Sequence, residues 1–228
     1  MSDNKYAELP GNAEKYSIGH VTEMEHSPIK GRKLIFLGSS VTYGHASNAV
    51  SFADYIGVRN GCTVVKEAVS GTTLMDDRED SYIARMKRIS ETEADLFICQ
   101  LSTNDASKGK PLGSVSEGLD ETLFDTTTVA GAIEYIIAYA GKTWHCPIVF
   151  YTSPRYDKDA YAAMVALLLE IARKWNIFVI DMWNDEQFNT ITDEQRMLYM
   201  KDPVHPTQAG YLEWWTPYIE SRLYDALA

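Results

Sequence analysis

Beyond residue 30 the chain alternates short, almost continuous apolar runs with longer stretches in which apolar residues recur at helical spacing. The runs are Lys33–Leu37, Thr63–Glu67, Asp95–Cys99, Pro147–Tyr151 and Ile177–Ile180. Runs of this length and β-rich content suit strands of a parallel sheet covered on both faces. Tyr161, Met164, Leu168, Ile171 and Trp175 fall on one helical face, and so do Leu212, Trp215, Ile219 and Leu223. Pro217 interrupts the second stripe and predicts a break or kink there. Strands alternating with helices predict a three-layer α/β/α sandwich on a five-stranded parallel sheet. Residues 1–30 are polar and without period, an N-terminal extension, which leaves 31–228 as a single domain without internal repeats. The connection from Ala106 to Phe124 is polar and carries Gly109, Gly113 and Gly118. A loop that long in a compact domain is expected to serve function.

Composition narrows the classes further. With 228 residues, 45% hydrophobic and 23% charged, the chain is an ordinary globular one, neither disordered nor fibrous. Its 21 basic and 32 acidic residues leave a net charge of −11, which disfavours nucleic acid and anionic membranes as partners. Cys62, Cys99 and Cys146 are odd in number and far apart, so they form neither a disulfide framework nor a metal pair. The first thirty residues contain no apolar targeting core and no later run approaches a membrane span, so a cytoplasmic location is expected.

Ligands of open parallel sheets bind beyond the carboxyl ends of the strands. After the first three runs stand Gly38-Ser39-Ser40-Val41-Thr42, Ala68-Val69-Ser70-Gly71 and Ser102-Thr103-Asn104-Asp105; far downstream comes Asp202-Pro203-Val204-His205-Pro206. Taken singly, each has a bland reading: a turn, a left-handed glycine, a helix N-cap, a rigid loop. Together they supply a complete chemistry. A serine hydroxyl needs a base within hydrogen-bond reach, histidine has a suitable pKa, and a carboxylate must fix the imidazole tautomer. Asp202, three residues before His205 on a proline-bounded turn, can do the last. Gly38-x-Ser40-x-Thr42 lacks the second glycine of the nucleophile elbow of α/β-hydrolases.

In this order the four segments resemble the motifs of the SGNH (GDSL-type) hydrolases. Gly38-Ser39-Ser40 matches the family's Gly-Asp-Ser with Ser39 in place of Asp, Gly71 its isolated glycine, Ser102-Thr103-Asn104-Asp105 its Gly-x-Asn-Asp with Ser102 in place of Gly, and Asp202 with His205 its closing Asp-x-x-His. The resemblance spans Leu34 to about Leu223. It implies a flavodoxin-like fold, a triad of Ser40, His205 and Asp202, and an oxyanion hole from the N–H groups of Ser40 and Gly71 with the Asn104 amide. It implies neither metal nor other cofactor. The expected activity is a serine esterase acting through an acyl-enzyme on a small-molecule ester. The acyl group is expected to be short, such as acetyl on a sugar or related alcohol, because no spare apolar segment is available for a lipid-binding lid. Rival readings are an acyltransferase, thioesterase or lipase with the same triad, or a non-catalytic carbohydrate-binding module, against which the intact Ser40, Asp202 and His205 count.

Other residues are set aside or kept as minor candidates. Gly141-Lys142-Thr143 fails as a phosphate loop because Ile136 stands where the first glycine is required. His45 is a rival base without an aspartate at the right spacing, and His20, His26 and His145 show no metal-ligand spacing. Asp181 reads as a helix cap before Asp185-Glu186, and Tyr43, beside the nucleophile, as a candidate substrate contact.

Overall fold

A computed structural model describes residues 5–227. In chain order the elements of the domain are β1 (Lys33–Gly38), α1 (Ser40–Tyr43), α2 (Phe52–Asn60), β2 (Thr63–Ala68), α3 (Tyr82–Met86), β3 (Leu96–Gln100), α4 (Thr103–Ser107), α5 (Val129–Trp144), β4 (Ile148–Tyr151), α6 (Asp159–Trp175), β5 (Phe178–Ile180), α7 (Glu186–Asn189), α8 (Asp193–Tyr199), a π-helical turn (Gly210–Trp215) and α9 (Thr216–Leu227). The five strands form one parallel sheet in the order β2-β1-β3-β4-β5.

The central strands β1, β3 and β4 are buried almost throughout, as their continuous apolar runs require, whereas the edges β2 and β5 are partly open. Alternation along the strands sorts the core into two layers. Ile35, Leu37, Phe97 and Phe150 face α3, α5 and α6. Leu34, Phe36, Ile98 and Val149 face α2, the π turn and α9. The sheet is therefore sandwiched, with all strand ends of one polarity on one edge.

Helix boundaries follow local chemistry. A capping box of Ser51 and Asp54 starts α2, and Gly61 in the left-handed region ends it. Pro217 sits at the second residue of α9, just after the π turn. Its missing N–H could not have bonded back to Glu213, and the wider turn takes up the mismatch.

One expectation needs correcting. The extension is not without structure over residues 5–30: Pro10–Asn12, Glu14–Tyr16 and Ile18–His20 form 3-10 turns, and Gly11, Asn12, Tyr16 and Ile29 are buried. Asn12 donates to the Ala46 carbonyl and accepts from the Gln208 N–H, tying this segment to the loops that carry His45 and His205. The 106–124 connection begins beside Ser40, where Ser107 lines the same hollow and Lys108 donates to the Gly71 carbonyl, and its middle is held by α6. Lys174 of α6 donates to the carbonyls of Ser116 and Gly118 while paired with buried Glu134 of α5.

Candidate active site

The carboxyl ends of β1, β2 and β3 converge on one hollow. Gly38 ends β1, and a Cβ there would strike the Thr42 hydroxyl, so only glycine lets the chain turn so tightly into α1. Gln100, the last residue of β3, holds this turn: its Oε1 accepts from Ser39 N–H (2.9 Å) and the Thr42 hydroxyl (2.9 Å). Thr42 accepts in turn from the Tyr151 hydroxyl (2.6 Å). Ser39, which stands where the family motif has Asp, is thus buried inside a neutral hydrogen-bond cluster. Buried Arg85 braces the same turn from α3, donating to the Gly38 carbonyl (2.8 Å) and to the Thr72 hydroxyl (3.0 Å).

Ser40 opens α1 and meets the loop before the π turn. Ser40 Oγ and His205 Nε2 are 2.8 Å apart, and His205 Nδ1 lies 3.0 and 2.9 Å from the two Asp202 oxygens. Asp202 also accepts the backbone N–H groups of Val204 (2.9 Å) and His205 (3.0 Å), so the loop is wound around its own carboxylate. Burial pushes the Asp202 pKa up, but the His205 hydrogen bond and these backbone N–H groups outweigh it and bring the value to about 2. An ionised carboxylate only accepts, so Nδ1 carries the imidazole proton, Nε2 is left as acceptor, and the Ser40 hydroxyl donates to it.

Gly71 adopts φ +83°, a left-handed backbone that favours glycine, and its carbonyl accepts from Lys108. Asn104 lies one residue into α4, whose N-cap is Ser102; the Ser102 hydroxyl accepts from Asn104 N–H (3.1 Å). This serine, in the place of the motif's glycine, therefore caps the helix that presents the amide. One N–H of the Asn104 amide is spent on the Thr72 carbonyl (2.9 Å), leaving the other free to donate. Asp105, fully buried, accepts from Leu74 N–H (2.9 Å) and ties α4 to the Gly71 loop; burial raises its pKa.

The hollow over Ser40 has a volume of about 280 Å³. Besides Ser40, Asn104 and His205, its walls include Thr103, Tyr156 and Val204. Tyr43 does not line it: the ring stands 40% exposed, three residues along α1 from Ser40. Tyr156 stands in the segment after β4, at the same edge of the sheet, but carries no motif that marks it in the sequence. His45 does not touch Ser40 Oγ. Its ring nitrogens meet the hydroxyls of Tyr6 (3.2 Å) and Ser70 (3.4 Å), and its ring lies 5.3 Å from that of His205. Partial burial lowers the His45 pKa, with the nearby His205 adding to the effect. Asp181 does not cap α7, which Asp185 does, but accepts from Asn184 in the preceding turn.

An ordered Ser–His–carboxylate chain at the carboxyl edge of a doubly wound parallel sheet has the form of a serine hydrolase. The sequence profile of the GDSL-like Lipase/Acylhydrolase family matches residues 36–212. The chain belongs to this family and is a carboxylic ester hydrolase. Among solved structures, a Lactobacillus plantarum protein superposes with a TM-score of 0.73 at 19% identity, over 86% of this chain and 98% of that one. A Bacteroides ovatus protein assigned to the GDSL-like lipases gives a TM-score of 0.63 at 19% identity, over 86% and 99%. Phospholipase A1 from Streptomyces albidoflavus gives 0.58 at 13% identity, over 84% and 99%. At such identities these likenesses speak for the fold alone. No curated protein sequence matches the chain.

Proposed function

We propose that this protein hydrolyses short-chain acyl esters, acetyl above all, through a Ser40–His205–Asp202 triad and an acyl-enzyme. The observation that carries the reading is the unbroken hydrogen-bond chain from Asp202 through His205 to the Ser40 hydroxyl. Ser40 Oγ attacks the ester carbonyl carbon as His205 Nε2 takes its proton, and ionised Asp202 stabilises the imidazolium. The tetrahedral oxyanion is held by the N–H groups of Ser40 and Gly71 and the free N–H of the Asn104 amide. Neither backbone N–H has a backbone partner among the described residues, which supports this role. Collapse breaks the bond to the alcohol oxygen, which leaves with the proton from His205. Water then adds to the acyl-enzyme with His205 as base, and the acid departs as Ser40 recovers its proton.

The short-acyl preference rests on the modest hollow over Ser40, to which the 106–124 connection contributes the polar Ser107 and no apolar wall. Aryl esters of increasing acyl length test it. An open apolar groove would gain about 0.8 kcal/mol for each methylene it buries, whereas a small hollow rejects the longer chain sterically. The expected result is kcat/KM highest for acetyl and falling beyond about four carbons. A maximum at about eight or more carbons would replace this reading with a lipase or thioesterase.

A further inference from the structure

The hollow over Ser40 does not end at Tyr156. On the far side of that ring lies a second hollow of about 400 Å³, walled by Met197, Met200 and Pro203 and flanked by Arg155 and Arg196. The two spaces share Tyr156 and run along one loop, Val204–His205 lining the first and Asp202–Pro203 the second. Both arginines also border the next depression outward, together with Asn189 and Thr190. Of the nine arginines, Arg32, Arg59, Arg78, Arg85 and Arg222 each meet a carboxylate. Among the described residues Arg155 and Arg196, like Arg88 and Arg173, have no such partner, but these two alone border the hollows, together with Asp157, Asp202 and Glu186. Asp202 is already committed to His205. Arg155 is held in place by its Nε bond to the Trp183 carbonyl (3.2 Å), which leaves its terminal nitrogens for a ligand.

Direction of departure decides which part of a substrate enters this groove. His205 Nε2 must return its proton to the leaving oxygen, so the alcohol leaves on the His205 side of Ser40. The groove begins at Val204–His205 and follows that loop outward.

We infer that the groove past Tyr156 is an alcohol-side subsite for an anionic oxyacid group, a carboxylate or a phosphate, carried on an apolar arm and held by Arg155 and Arg196. Guanidinium groups suit such a ligand because their planar N–H forks match oxyanion geometry. The apolar walls account for the arm between ester and anion. A short acyl group over Ser40 and a larger anionic alcohol beyond Tyr156 fill the two hollows together, so this inference rests on the esterase reading.

The test compares acetyl esters that differ only at the far end of the alcohol: para-hydroxyphenylpropanoate, its neutral methyl ester, and para-hydroxyphenethyl phosphate. Each ratio of anionic to neutral kcat/KM is measured for the wild type, for Arg196→Gln and for Arg155→Gln/Arg196→Gln. Arg196→Gln guards against a folding artefact, since the Arg196 side chain is exposed and Arg155 also anchors Trp183. The ratio is expected to fall about tenfold in the double variant, mostly through KM, and to fall with added salt in the wild type alone. The carboxylate and phosphate arms show which oxyacid is preferred. Binding of the same esters to Ser40→Ala, by calorimetry, reads the subsite without turnover: the anionic esters should bind about tenfold more tightly than the neutral one, and lose that margin when both arginines are replaced. Ratios and affinities indifferent to both arginines would overturn the subsite while leaving the esterase reading standing. Arginine-dependent binding without Ser40-dependent hydrolysis of any ester would uphold the subsite and overturn the esterase reading.

Discussion

Two histidines lie side by side in this site, and hydrogen bonding separates their roles. His205 has a carboxylate behind it and the Ser40 hydroxyl before it, whereas His45 touches two hydroxyls and no acid. His205→Ala should therefore abolish hydrolysis of an aryl acetate to near background, while His45→Ala should retain Ser40-dependent turnover. Steady-state assays of the two purified variants check this, and an essential His45 with a dispensable His205 would reverse the assignment of the base. In the proposed mechanism Asn104 acts on charge that exists only in the transition state. Asn104→Ala should lower kcat by roughly 10²–10³ with little change in KM. A rise in KM at constant kcat would make Asn104 a ground-state contact instead. These residues were legible in the sequence because each sits in a short motif with a fixed chemical task. Tyr156 and Arg196 were not, since nothing in their local spacing marks them; only the folded chain brings α8 and the segment after β4 beside the loop of His205.

Among the elements, α4 depends on a buried carboxyl group. Asp105 accepts the Leu74 N–H in a dry environment and so joins the helix presenting Asn104 to the loop presenting Gly71. Asp105→Ala leaves that buried N–H without a partner and should cost about 1–3 kcal/mol of stability. It should also lower kcat by loosening Asn104. Asp105→Asn keeps an acceptor. Because burial raises the Asp105 pKa above its unfolded value, the folded chain binds this proton more readily than the unfolded chain does. The residue's contribution to stability is then fully present below the unfolded pKa and declines as pH rises through the raised folded value. Asparagine has no such step, so the stability of Asp105→Asn relative to wild type should increase from acid to neutral pH, as urea unfolding at several pH values will show. A constant difference would mean that Asp105 is not perturbed by folding. Strands were legible to within about a residue at each end because continuous apolar runs and parallel burial go together. The turns of residues 10–20 were not legible: what orders them is distant, above all the Asn12 bonds to Ala46 and Gln208.

For the molecule as a whole, the sheet order places the ends of β1, β2 and β3 together, and the return of the chain after α8 closes the site with His205. The two halves of the hydrogen-bond chain are 165 residues apart in sequence, so the triad exists only in the folded state. Fold and family followed from four motifs in order, each at a strand end or before the last helical stripe. The reach of the site did not: the 106–124 connection, the conspicuous candidate for a functional loop, lends the hollow over Ser40 only Ser107 near its start, while Lys174 holds its middle at Ser116 and Gly118. The central claim is that Ser40, activated by His205 and Asp202, forms the acyl-enzyme. Its most direct test is the turnover of a small aryl acetate by Ser40→Ala, with folding verified by circular dichroism and urea unfolding. Members of a triad act as a unit, so the account predicts a loss of several orders of magnitude in kcat with stability near that of the wild type. A folded Ser40→Ala protein that hydrolyses the ester at the wild-type rate would contradict it.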